Sequence, residues 1–169
     1  GVHPNNEGYV VLTKYIAQWL EEIMCVDAKV RYQQLSLSDD LTMRFDLLVS
    51  DTYKETATVT VTVGGEVVTE VLFNELSDGT TGCKRVEVAL AAAQMTDDIV
   101  VTISNNGAVL FEETYSILKY ARYLLDGDYN SKTKNLANAV LNYGANAQLY
   151  FGHNTDNLAN AGLTTPETV

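Results

Sequence analysis

From Ala28 to Glu113 the apolar residues of this chain recur at every second position, and that period limits the region to half-buried strands. Leu41, Met43, Phe45, Leu47 and Val49 alternate with Thr42, Arg44 and Asp46, and Ala57, Val59, Val61 and Val63 alternate with Thr58, Thr60 and Thr62. Gly64-Gly65 follows the second run and Asn106-Gly107 separates residues 99–104 from 108–113. Both dipeptides accept positive φ at two successive positions, so each predicts a two-residue hairpin. Residues 29–37, 66–73 and 83–90 add further strands, giving about seven joined by short turns. Consecutive short strands without intervening long helices predict an antiparallel β-sandwich. Ala91-Ala92-Ala93-Gln94-Met95 reads as a one-turn helical crossover within it.

On either side the period changes to 3.6. Asn5-Asn6-Glu7-Gly8 offers capping residues ahead of Leu12, Tyr15, Ile16, Trp19, Leu20 and Ile23, an apolar stripe opposed by Lys14, Gln18, Glu21 and Glu22, which predicts a helix over about 7–25. Trp19 lies mid-stripe and reads as core packing rather than a stacking platform. After the strands, Ile117, Tyr120, Ala121, Leu124 and Leu125 share one helical face. In the next helix Leu136, Ala139, Val140, Tyr143, Ala147 and Tyr150 do, with Ala137 and Gly144 beside them permitting close backbone approach. The expected fold is therefore α+β. Residues 1–27 form an N-terminal helix packed on the domain, 28–113 a sandwich, 114–154 a helical hairpin of the same unit, and 155–169 a Thr/Pro/Glu-ending, linker-like tail.

Charge narrows the partners. With 22 acidic against 11 basic residues the net charge is -11, a field that repels nucleic acid and anionic membranes. No run approaches the roughly 18 apolar residues of a membrane span. The first residues lack the basic and apolar regions of a signal peptide, which is absent or already removed. Cys25 and Cys83 have no Cys-x-x-Cys spacing, so neither a zinc site nor a redox pair is expected. They read as two buried thiols, with a bridge in an oxidising setting as the alternative.

Catalytic residue types are scarce. His3 and His153 are the two histidines, and a Ser-His or Cys-His couple has only His153 to draw on. Asp39-Asp40, Asp97-Asp98 and Glu112-Glu113 are doublets, but adjacent strand residues point to opposite faces, so they read as surface charge rather than acid/base pairs. Asp126, Asp128 and Asn130 match positions 1, 3 and 5 of a calcium loop, yet Ser131 stands where glycine is needed and Ala137 where a bidentate Glu is needed. No metal and no cofactor is expected.

What remains is a candidate ligand face. Asn135, Asn138, Asn142 and Asn146 fall within about 80° of one another on the last helix. Asn is a mediocre helix former, so the row costs propensity that Lys or Glu would not. Uncharged amides beside Tyr123 and Tyr129 suit a neutral polysaccharide. The plain alternative is a solvated polar stripe. Tyr9 and Tyr53 also fall on polar faces or loops, whereas Tyr120, Tyr143 and Tyr150 read as core.

Certain phrases carry a resemblance. Tyr115-Ser116-Ile117, Tyr120-Ala121, Leu124-Leu125, Lys134-Asn135-Leu136 and Leu-Asn-Tyr-Gly-Ala-Asn-Ala-Gln-Leu-Tyr-Phe over 141–151 stand in order. Ahead of them come Ala92, Met95-Thr96-Asp97-Asp98-Ile99 and Val101, with residues 35–41 a weaker third phrase. Together they resemble, over about 30–155, a module of secreted multimodular surface proteins of Gram-positive anaerobic bacteria. We know of no assigned activity for that family. The resemblance implies a secreted or cell-surface, non-catalytic module with a binding, adhesion or spacer role. Its partners would be other modules of the same polypeptide, a neutral polysaccharide or a surface protein. A small hydrolase using carboxylates assembled by the fold is the alternative.

Overall fold

The computed structural model describes residues 15–16, 27–38 and 40–163. The described residues from Ala28 onward are α+β, with eight antiparallel strands in two sheets and two α-helices. β1 (Ala28–Ser36), β2 (Leu41–Val49), β5 (Ser77–Asp78) and β6 (Lys84–Leu90) form one sheet in the order β1-β2-β6-β5. β3 (Ala57–Val63), β4 (Glu66–Leu72), β7 (Ile99–Asn105) and β8 (Ala108–Tyr115) form the other in the order β4-β3-β7-β8. The alternation works as expected: Met43, Phe45 and Leu47 from one sheet and Val59, Val61 and Ile103 from the other enter a single buried core, in a sandwich-like arrangement. Phe45 and Tyr115 join the sheets, their ring centroids 4.9 Å apart. Gly64 and Gly65 (φ 58° and 90°) and Asn106 and Gly107 (φ 50° and 82°) make the two tight hairpins, the positive-φ pairs that such turns need.

β5 is the strand beyond the expected seven. Its sequence, Ser-Asp followed by Gly-Thr-Thr-Gly, has no alternation to read, and tertiary contacts hold it instead. Arg85 Nε donates to Asp46 Oδ1 at 2.7 Å and Nη2 to Oδ2 at 3.0 Å, while the Thr80 amide donates to Oδ2 at 3.0 Å. Gly79 passes so close that a Cβ would lie 2.6 Å from Asp46 Oδ1. The Arg85 hydrogen bonds outweigh desolvation and hold the Asp46 carboxyl down at about 2. This side chain of β2 is thus roofed by the loop that joins β5 to β6.

A single 3-10 turn (Ala92–Gln94) makes the expected crossover. The C-terminal helices are α1 (Ile117–Asp126) and α2 (Ser131–Phe151). Ser116 caps α1 by accepting from the Lys119 amide and Asn130 caps α2 by accepting from that of Thr133, while Gly152 closes α2 in the left-handed region at φ 65°. The two helices follow from the 3.6 period of the sequence, and Ser116, Asn130 and Gly152 are residue types suited to the cap positions they occupy.

The buried face of α2 does not match the expectation. Ala137, Val140, Leu141, Gly144, Ala145 and Gln148 face inward. Leu136, Tyr143 and Tyr150, expected in the core, are 54, 61 and 84% exposed. The helix is turned by about one residue, or 100°, from the bulky stripe. A Cβ on Gly144 would run into the Met95 side chain, so the helix sits too close for large residues on that face.

One boundary also changes. Residues 155–163 are not tail: Ala159 is fully buried, and Leu158 and Leu163 pack on the core. Tyr53 does the same rather than lining a polar loop. Cys83 is a buried free thiol; Cys25, Trp19, Tyr9 and Asp39 lie outside the described residues. Of the helix expected over 7–25, only Tyr15 and Ile16 are described, and they are helical but 67 and 45% exposed. No helix among the described residues is long and apolar enough to cross a membrane.

Candidate functional site on the outer face of α2

The recognisable phrases of the sequence meet one another. Met95 packs under Gly144. One residue on, Thr96 Oγ1 accepts from Gln148 Nε2 at 2.9 Å and from Asn154 Nδ2 at 2.8 Å. One further, Asp97 holds His153 Nε2 at 2.9 and 3.0 Å from its two oxygens. Gln148, wholly buried, also donates to the Asn157 carbonyl at 3.0 Å and accepts from the Ala159 amide at 2.8 Å. Met95, Thr96 and Asp97 thus engage Gly144, Gln148 and His153 in order, clamping α2 and the following loop onto the sandwich. A buried amide with this many partners is a positioning device.

The same contacts use up much of the inventory for catalysis. His153 binds Asp97, and among the described residues no serine, threonine or cysteine hydrogen-bonds its ring. Cys83 is buried beside the loop of residues 79–82, a part of the fold separate from the His153 clamp. The doublets Asp97-Asp98 and Glu112-Glu113 have separate partners: Asp98 lies 3.7 Å from Lys119, Glu112 accepts from Thr102, and Glu113 accepts from the Tyr115 hydroxyl at 2.7 Å. Burial, with that bond to Glu113, drives the Tyr115 phenol far upward. Asp46 and Asp78 are lowered, by Arg85 and Lys84 respectively, the direction opposite to what a general acid needs. Asn130 is spent as a helix cap. No group of three or more His, Cys, Asp or Glu among the described residues could hold a metal.

The asparagine row lies outside this clamp, on the flank of α2. Asn135 and Asn146 are exposed, and Asn138 and Asn142 half-buried. Two members are tied down: Asn142 Oδ1 accepts from Asn160 Nδ2 at 2.9 Å, and Asn146 Nδ2 donates to the Asn142 carbonyl at 2.9 Å. Among the described residues no hydrogen bond engages the side chains of Asn135 or Asn138. Tyr123 and Tyr129 stack edge to face with centroids 5.9 Å apart at the α1–α2 turn. There the Tyr123 hydroxyl raises the Tyr129 phenol. Gly127 is needed there, since a Cβ would lie 2.7 Å from the Tyr129 ring. The two rings thus lie at the turn that leads into the Asn135 end of the row, which is about 16 Å along the helix from Asn146 at 1.5 Å per residue.

Two properties of this face went unread in the sequence. Tyr143 and Tyr150 join it instead of the core, and the run from Asn135 to Phe151 contains no charged residue. The second was legible in principle, since a charge-free stretch of that length is unusual on an exposed helix. Comparison with protein-family models, curated proteins and solved structures finds no match to this chain.

Proposed function

We propose that the domain is a non-catalytic module of a secreted or cell-surface protein, and that it engages neutral polysaccharide through the amide row of α2 with Tyr123 and Tyr129. The observation that carries this reading is the uncharged, exposed helix face on a chain of net charge -11. Elsewhere the surface repels polyanions; here it presents amide donors and acceptors without ionic preference. The family resemblance supports the compartment and the multimodular setting, in which the remaining partners are neighbouring modules or a surface protein.

Affinity electrophoresis through neutral polysaccharides tests the ligand class. Asn135→Ala with Asn138→Ala should weaken retardation about tenfold or more, the effect of losing two hydrogen bonds at about 1 kcal/mol each. Retardation indifferent to that pair would leave the row a solvated face and make the domain a spacer. The competing hydrolase reading has one observation in its favour, the Asp97–His153 pair at 2.9 Å. A glycan- or peptide-cleaving activity abolished by His153→Ala in a folded variant would replace the module reading with it.

A further inference from the structure

We infer that the exposed aromatic seam of α2 is an interface for a second copy of this chain, paired antiparallel through α2 of each copy. Leu136, Ala139, Tyr143, Asn146 and Tyr150 are all exposed. They recur at intervals of three and four, the seam spacing of paired helices, with one asparagine among them as a register-setting polar position. Leu149 and Phe151 extend it, and Tyr150 and Phe151 stack edge to face at 4.9 Å. Ordinary surface helices place charge opposite their buried stripe; this one places rings there.

Charge and area select the occupant. Two copies at -11 each repel, and they approach most easily through the stretch of surface poorest in carboxylates. The face from 135 to 151 has none, while Lys132 and Lys134 precede it and Asp156 follows in an exposed position. Antiparallel pairing sets the two lysines of one copy against the carbonyl end of α2 in the other, near its Asp156, and opposes the two helix dipoles favourably. A two-fold axis through the pair makes the contact closed and self-complementary. Tyr143, Tyr150 and Phe151 are 61, 84 and 72% exposed. At about 150–250 Å² per ring, and with two half-exposed leucines, the seam offers roughly 600 Å², close to the ≈ 800 Å² per partner of a standard interface. Bordering it, a groove of about 450 Å³ lined by Leu37, Leu41, Leu90, Val140 and Tyr143, with the exposed Asp40 at its edge, gives the partner's rings a place to seat.

Sedimentation equilibrium of the full chain should show a concentration-dependent dimer. Tyr143→Lys and Tyr150→Glu should each weaken it about thirtyfold, as for a buried aromatic anchor. Val109→Lys, which alters an equally exposed residue on β8, should leave it unchanged. Unchanged circular dichroism keeps a lost dimer from being mistaken for unfolding. A chain monomeric up to about 1 mM, the weak end of specific affinity, would overturn the inference, as would a dimer indifferent to both seam variants. Maleimide labelling of Tyr143→Cys in a Cys25→Ser background adds a third readout: protection should grow with concentration, and protection persisting at high dilution would mean that the chain's own N-terminal segment covers the seam. These variants leave Asn135 and Asn138 intact, so failure here and failure of the polysaccharide reading are separable.

Discussion

The two faces of α2 invert the usual relation between size and burial. Inward it presents Ala137, Gly144, Ala145 and the amide of Gln148; outward it presents Leu136, Tyr143, Tyr150 and Phe151. The difference teaches that the space available, more than hydrophobicity, chose the inner face. Met95 and Thr96 stand where the helix lands, and only small side chains and one well-bonded amide let it come that near. The large residues, freed from the core, define the surface on which contacts with other molecules are available.

Breaking the inner face should cost most. Gly144→Val forces two methyl groups into the Met95 side chain and should lower unfolding free energy by about 3 kcal/mol or more, as overpacking does at its upper end. Tyr143→Ala, one residue away, should change it by less than about 0.5 kcal/mol. Urea unfolding midpoints at constant slope measure both, and equal costs would mean that α2 sits differently. Gln148→Met keeps the volume but strips partners from Thr96, Ala159 and the Asn157 carbonyl, so a loss of about 2–3 kcal/mol is expected. Faster hydrogen exchange at the Ala159 amide should accompany it; unaltered exchange would show that the loop holds without the amide.

A further effect lies away from both faces, in the Asp46–Arg85 lock. The folded carboxyl titrates at about 2, below its ordinary 3.8. Its contribution is therefore fully present above about pH 4 and is lost as pH falls through about 2, amounting to about 2 kcal/mol. Asp46→Asn should flatten this part of the acid limb. It should also add independently to the α2 variants, since the sites share no partner. Coupling between them would show that the helix clamp and the sandwich lock are one cooperative network.

How much could be read beforehand follows the same division. The long strands were legible because Met43, Phe45 and Leu47 or Val59, Val61 and Val63 repeat at the period the pleat imposes. Ser77–Asp78 was not, because its strand character comes from Asp46 and Arg85, more than thirty residues upstream and seven or more downstream. The helices themselves were legible from their 3.6 period, whereas the caps Ser116, Asn130 and Gly152 emerged with the structure. The orientation of α2 was misread because hydrophobicity favoured the Leu136–Tyr143–Tyr150 stripe, and nothing local records that Met95 occupies the space Gly144 must clear. The asparagine row proved accessible at Asn135 and Asn138 but partly committed at Asn142, whose partner Asn160 lay in a segment read as tail. Asp97 and His153, 56 positions apart, could be brought together only by the fold.

The Gln148 clamp also bears on how such a domain would respond to a pull. Tension entering at Leu163 meets two local turn bonds, Leu163 to Asn160 and Ala161 to Leu158, and a series of side-chain bonds: Arg122 to the Ala161 carbonyl, Asn160 to Asn142, and the Ala159 amide to Gln148. None belongs to a strand ladder, and they lie one after another along the chain, so they break singly and in sequence. Peeling the ten residues from Asn154 to Leu163 releases about 35 Å of slack at full extension. The two sheets would feel force only after that length has run out, which makes the C-terminal segment a short mechanical buffer ahead of the sandwich.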